Sequence, residues 1–209
     1  EELNRQFISL IAKYNFAPTN IAVDNLKQAG INHKTIYQVG NTVVDVLNLV
    51  LNKIETGELV VSAQIQELVA RIKGSWIRPA HYERTRIILL TMHRRESFGT
   101  KMVQALSAIR DFANEHPEVC FIFPVHPNPQ VKQAVELANL KTCSNIFLIE
   151  PLAYHELVYI LDQASCVATD SGGLCEEAAS LGKPVVLLRN ETDRPEAIQA
   201  NLAWLVGYD

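Results

Sequence analysis

The chain has 209 residues, 48% of them apolar and 20% charged, with a formal net charge of −4. That balance suits a globular domain with a sizeable core and lacks the basic excess that a nucleic-acid footprint requires. No apolar run approaches the roughly 20 residues needed to cross a bilayer, and the four cysteines, Cys120, Cys143, Cys166 and Cys175, form no CxxC pair that would indicate zinc or a disulfide framework.

No secretory leader is visible, so a cytoplasmic location is expected, with no metal, no cofactor, no nucleic acid and no membrane among the partners. The chain opens on Glu1-Glu2-Leu3 instead of Met, and its last strand-like run stops three residues before the end. An internal piece of a longer protein is expected.

In chain order, Leu3, Phe7, Leu10 and Ile11 form a helical stripe, and Tyr14 to Ala17 suits a short strand. Thr19 reads as the N-cap of a helix ending at Gly30. A strand over Thr35 to Val39, a turn at Gly40-Asn41-Thr42, and helices over Thr42 to Ile54 and Ala63 to Ile72 come next. A polar loop over residues 74–85 follows.

From there the alternation is regular. Strands are expected over Arg86 to Met92, Val119 to Phe123, Ile146 to Ile149, Cys166 to Thr169 and Pro184 to Leu188. The intervening helices cover Lys101 to Glu115, Gln130 to Asn139, Tyr154 to Gln163 and Cys175 to Leu181. A short helix and a strand over Ala203 to Val206 close the chain. Strands alternating with helices predict an α/β fold, a doubly wound parallel sheet covered on both faces. Ligands of such sheets sit at the carboxyl ends of the strands, near a topological switch point.

The candidate residues fall at those ends. Thr169-Asp170-Ser171-Gly172-Gly173 joins a strand to a helix, so the N–H groups of Ser171, Gly172 and Gly173 and the helix dipole offer a seat for a phosphate. A side chain there would hold the phosphate away from the amides. Such glycines also serve packing alone. Glu176 and Glu177 follow, diverging by about 100° around the helix; Glu177 is the better placed to accept from a pair of sugar hydroxyls. Together these suggest a nucleotide-sugar diphosphate.

His93-Arg94-Arg95-Glu96-Ser97 directly follows another strand and could neutralise a diphosphate, or form a solvated charged loop. His126 lies in the Pro-stiffened loop 124–129. The alternative for it is a turn whose His caps the next helix. Arg194, in the loop before Pro195, could reach a phosphate or hold Glu177, or lie on the surface.

This set of motifs closely resembles the non-hydrolysing UDP-N-acetylglucosamine 2-epimerases. The matching pieces are Glu1 to Arg5, Phe16 to Thr19, Val39 to Asp45, His93 to Ser97, Pro124 to Pro129, Thr169 to Glu177, Gly182 to Val186 and Arg194 to Ala197. The resemblance implies two Rossmann-like domains in a GT-B arrangement. Residues 1–40 would be the tail of the first, and 41–209 most of the second, UDP-binding one.

It implies reversible inversion at C2, interconverting UDP-N-acetylglucosamine and UDP-N-acetylmannosamine through UDP elimination and a 2-acetamidoglucal, with a homodimer as the full-length state and this piece inactive alone. It gives Glu1 and His93 catalytic parts, and Arg94, Ser171, Gly172, Gly173, Glu177 and Arg194 contacts to UDP or the sugar nucleotide. Arg94 and His126 match positions of an activating second substrate molecule. Leu152 and Leu157 stand where the family often has Gln and Phe near uracil. A GT-B glycosyltransferase, or a nucleotide-sugar-binding module without catalysis, is the alternative reading.

Overall fold

The computed structural model describes residues 2–74, 86–192 and 195–208. Glu1, Arg194 and nearly all of the expected 74–85 loop lie outside the described residues. The chain divides into two compact units, Glu1–Val46 and Leu47–Asp209.

The smaller unit holds helix α1 (Glu2–Ile11), strand β1 (Asn15–Ala17), helix α2 (Asn20–Gln28) and strand β2 (Ile36–Gln38). Strands β1 and β2 pair in parallel, Phe16 opposite Tyr37. Thr19 caps α2 by accepting from the Ala22 amide, a contact worth about 1 kcal/mol in general. Gly30, past the helix end, takes φ +79°, where a Cβ would be strained. Ala17, Leu26 and Ile31 make its small core.

The larger unit is a six-stranded parallel sheet. Its strands are β3 (Arg86–Thr91), β4 (Val119–Pro124), β5 (Ile146–Ile149), β6 (Cys166–Thr169), β7 (Val185–Leu187) and β8 (Ala203–Leu205), in the order β5-β4-β3-β6-β7-β8. Strand β3 sends the chain to β4 on one side, and β6 sends it to β7 on the other. The switch point therefore lies between β3 and β6, as the expected doubly wound fold requires.

Successive strand residues point to opposite faces, and both faces are apolar. Ile87, Leu89, Cys120, Ile122, Val167 and Leu187 pack on one side with α3 (Thr42–Glu55), α4 (Ala63–Lys73), α7 (Tyr154–Gln163) and α8 (Gly172–Ser180). Leu90, Phe121, Phe123 and Ala168 pack on the other with α5 (Thr100–Glu115) and α6 (Pro129–Leu137). A strand buried on both sides reads as an unbroken apolar run, which is why β4 is buried from Val119 to Phe123. A short helix α9 (Pro195–Gln199) leads to β8.

One boundary matters for the site. Helix α8 starts at Gly172, three residues before the expected Cys175. Glycine is a poor helix former, but the Ser171 hydroxyl caps this helix by accepting from the Leu174 amide, so both glycines enter its first turn.

Candidate functional site

Strands β3 and β6 run in register to Thr91 and Thr169, whose hydroxyls meet at 2.6 Å. The loops that follow are thereby neighbours at the carboxyl edge, and Asp170 ties them together. Its carboxylate is fully buried. It accepts from the His93 amide at 2.9 Å, the Arg94 amide at 2.8 Å and the Ser97 hydroxyl at 3.2 Å. A buried charge is tolerable when donors surround it in this way.

Ser97 spends its single hydroxyl proton on Asp170, so the Tyr208 hydroxyl, 2.8 Å away, is the donor to Ser97. The His93 ring turns Nδ1 to within 3.3 Å of the other Asp170 oxygen. That neighbour favours the proton on Nδ1 and leaves Nε2 for other partners.

The N-terminus of α8 faces His93 across the same edge. The Ser171 amide is already engaged, donating to the Thr169 hydroxyl at 2.9 Å. This corrects the expectation of three amides presented to a phosphate: Ser171 has its hydroxyl to offer, the amides of Gly172 and Gly173 have no partner among the described residues, and Gly173 lines the cleft while Gly172 is buried. Packing does not demand glycine at 173. A Cβ there would meet nothing within 4 Å among the described residues beyond its own helical turn, and its φ is not positive.

One turn along, Glu177 is buried while its neighbour Glu176 is partly exposed. Tyr154, at the start of α7, donates its hydroxyl to Glu177 Oε1 at 2.7 Å. Burial raises the Glu177 pKa above the usual carboxylate range, and the nearby charge of Glu176 adds to this. The Tyr154 hydrogen bond acts in the opposite direction. Tyr154 in turn is held well above the ordinary phenol value, by burial first and by Glu177 second.

These groups line a cleft of about 370 Å³, bordered by His93, His126, Ser171, Gly173 and Glu177 on its polar side and by Pro151, Leu152 and Leu157 on its apolar side. The size is that of a small-ligand site. His93 and His126 stack with ring centroids 5.8 Å apart. His126 also accepts from the Asn128 amide, while Asn128 itself caps α6. The cap of that helix, weighed for His126, thus falls to Asn128, while His126 holds the turn before it and also lines the cleft.

Arg94 is placed differently. Its backbone serves Asp170, its side chain is absent from the cleft lining, and its Nε is buried with no hydrogen-bond partner among the described residues. No group of three His, Cys, Asp or Glu side chains among the described residues could hold a metal ion, and no described helix is long and apolar enough to cross a membrane.

The cleft combines imidazoles, a helix N-terminus and one carboxylate with aliphatic carbon. The family model described as UDP-N-acetylglucosamine 2-epimerase matches residues 1–209. The chain belongs to that family.

It is 38% identical over 207 residues to the UDP-N-acetylglucosamine 2-epimerase of Campylobacter jejuni, covering 99% of this chain and 52% of the relative. The crystal structure of the Neisseria meningitidis epimerase bound to UDP-GlcNAc superposes with a TM-score of 0.84 at 35% identity, covering 100% of this chain and 53% of that one. The Methanocaldococcus jannaschii epimerase in complex with UDP-GlcNAc and UDP gives a TM-score of 0.75 at 32% identity, covering 100% and 54%. The chain thus spans about half the length of the curated relatives it matches.

Three features of the site escape a reading of the motifs alone. Asp170 stands inside the quoted motif, but its partners lie 73 to 77 residues away. The Ser97–Tyr208 link spans 111 positions. Tyr154 is a helix-start residue until α7 and α8 lie side by side. A polar residue at the end of a buried strand, as Asp170 is, was the one local signal that a non-local partner existed.

Proposed function

We propose that the protein carrying this chain is a UDP-N-acetylglucosamine 2-epimerase, and that the cleft holds the UDP part of the substrate and product. The observation that supports this most is the first turn of α8. The amides of Gly172 and Gly173 have no partner among the described residues, and Gly173 shares the cleft with His93 at the switch point, with Glu177 one turn further on. The diphosphate lies on the amides and the Ser171 hydroxyl, aided by the helix dipole. Glu177 accepts from the ribose hydroxyls, and the uracil ring lies toward Leu152 and Leu157.

A C2 proton beside an acetamido group is weakly acidic, so departure of UDP has to be stabilised strongly. Fixed donors at the diphosphate supply that stabilisation where charge develops. His93, oriented through Nδ1 by Asp170, gives the leaving oxygen a proton from Nε2 as the imidazolium and is left as the neutral Nδ1–H ring. Arg194 adds charge to the same diphosphate, and Glu1 takes part at the C2 proton, both as the family resemblance assigns them. Re-addition of UDP to the 2-acetamidoglucal, with protonation on the opposite face of C2, gives the mannosamine epimer.

Incubation with UDP-N-acetylglucosamine in deuterated water tests the reaction. Deuterium is expected at C2 of both sugar nucleotides by NMR. Product formed without exchange at C2 overturns the elimination route, and transfer of the sugar to an acceptor without exchange indicates a glycosyltransferase.

A further inference from the structure

Glu177 has a partner whose position suggests more than packing. Tyr154 approaches it from α7, outside the cleft lining, and reaches only Oε1. The phenol is a donor held by a rigid ring on a helix whose core face, Val158, Ile160 and Leu161, is fully buried. Although Tyr154 is 37% exposed, its hydroxyl is set by two side-chain torsions on that anchored helix, whereas a Glu side chain has three. The 2.7 Å contact pins the more flexible partner. Oε2 has no hydrogen-bond partner among the described residues.

We propose that Tyr154 is a positioning residue for nucleotide recognition, fixing one Glu177 oxygen so that the carboxylate meets a ribose diol in a single orientation. The inference rests on the reading of Glu177 as the ribose acceptor. Each carboxylate oxygen can accept more than one hydrogen bond, so Tyr154 and a ribose hydroxyl share Oε1 without competing while the second hydroxyl takes Oε2. The specificity that results is for a vicinal diol: a site built around hydroxyl donors discriminates strongly against an analogue lacking them, because the carboxylate is then left underused.

Tyr154 has a second consequence through charge. Accepting hydroxyls requires the Glu177 carboxylate to be ionised, and burial works against that. The groups that face it are Tyr154 from α7 and Glu176 on its own helix, with His93 and His126 lining the same cleft. Of the two that act on its ionisation most directly after burial, Tyr154 favours the charged form and Glu176 disfavours it. Loss of the phenolic hydroxyl therefore moves the protonation of Glu177 to higher pH.

The test is calorimetric titration of UDP and of 2′,3′-dideoxy-UDP into wild type, Tyr154→Phe, Glu177→Ala and the double variant between pH 5 and 8. Dideoxy-UDP carries the same diphosphate and base, so titration of the phosphate and of His93 cancels in the comparison. Tyr154→Phe is expected to weaken UDP about tenfold and to leave dideoxy-UDP unchanged.

In the double variant the loss should equal that of Glu177→Ala alone, and the acid-side fall in UDP affinity should begin at higher pH in Tyr154→Phe. Equal weakening of both nucleotides by Tyr154→Phe, or losses that multiply in the double variant, overturns the positioning role. Unchanged UDP affinity in Glu177→Ala is a separate result, which overturns the ribose assignment itself.

Discussion

Two buried carboxylates near the carboxyl edge of the sheet, Asp170 beneath the cleft-lining loops and Glu177 on the cleft wall, are treated very differently by the same fold. Asp170 accepts from two amides and a hydroxyl and is fully enclosed. Glu177 accepts from one hydroxyl among the described residues and lines the cleft. A carboxylate whose capacity is filled by its own chain holds structure in place. One left partly unfilled is available to a ligand, and the chain bears a cost for it until the ligand arrives.

The sharpest way to break this contrast is to remove each carboxylate in turn and measure urea unfolding. Asp170→Ala leaves two amides and the Ser97 hydroxyl without an acceptor, and is expected to cost about 2–4 kcal/mol. Glu177→Ala is expected to cost far less. Equal losses at the two positions end the distinction.

Next in size is ligand binding. Glu177→Ala should weaken UDP by about 1.5–3 kcal/mol, the scale of hydrogen bonds to a charged group, as read by calorimetry. A smaller and more diagnostic effect is expected at the glycine turn. Gly173→Ala should raise the unfolding free energy by up to about 1 kcal/mol, because alanine is the better helix former and its methyl group meets nothing among the described residues beyond its own helical turn. The same methyl group stands where the diphosphate would approach, so UDP affinity should fall. A variant that is stabler and binds UDP unchanged removes the phosphate from that turn.

The smallest effect sharpens the comparison through pH. The folded pKa of Glu177 is raised above its unfolded value, so ionising it opposes folding. Stability owed to this group is therefore fully present at low pH, and it is lost as pH rises through the ordinary carboxylate value toward the raised one. Glu177→Gln should remove that slope and melt slightly above wild type at neutral pH. A steeper slope in Glu177→Gln than in wild type contradicts the assignment of burial as the dominant cause.

Much of the architecture was legible because it is written locally. Ile146 to Ile149 and Cys166 to Thr169 are short apolar runs between turn residues, and helix α7 has the 3.6-residue apolar period; their bounds match the expected ones. The start of α8 was misplaced because glycine propensity argued against the helix, while the Ser171 cap that overrides it is a matter of geometry. Helical angle requires Glu176 and Glu177 to diverge, and the expected inward residue, Glu177, is the buried one of the pair.

What stayed hidden is whatever depends on two distant elements becoming neighbours. The amide of Ser171 looked available until Thr169 was found to accept from it. Arg94 reads in the sequence as a charge for phosphate, and the part its backbone plays for Asp170 shows only in the fold. No spacing rule shows that a carboxylate after the fourth strand of the large sheet will collect donors from the loop after the first.

Tyr208 gives that dependence a direction in time. It follows the sheet's edge strand, and through Ser97 it reaches the fully buried carboxylate of Asp170. Contacts of such sequence separation close late, after the loop entropy between them has been overcome. The segment that carries His93 thus acquires its full set of restraints only when β8 docks, and fraying at that margin loosens the heart of the cleft before the rest of the sheet gives way.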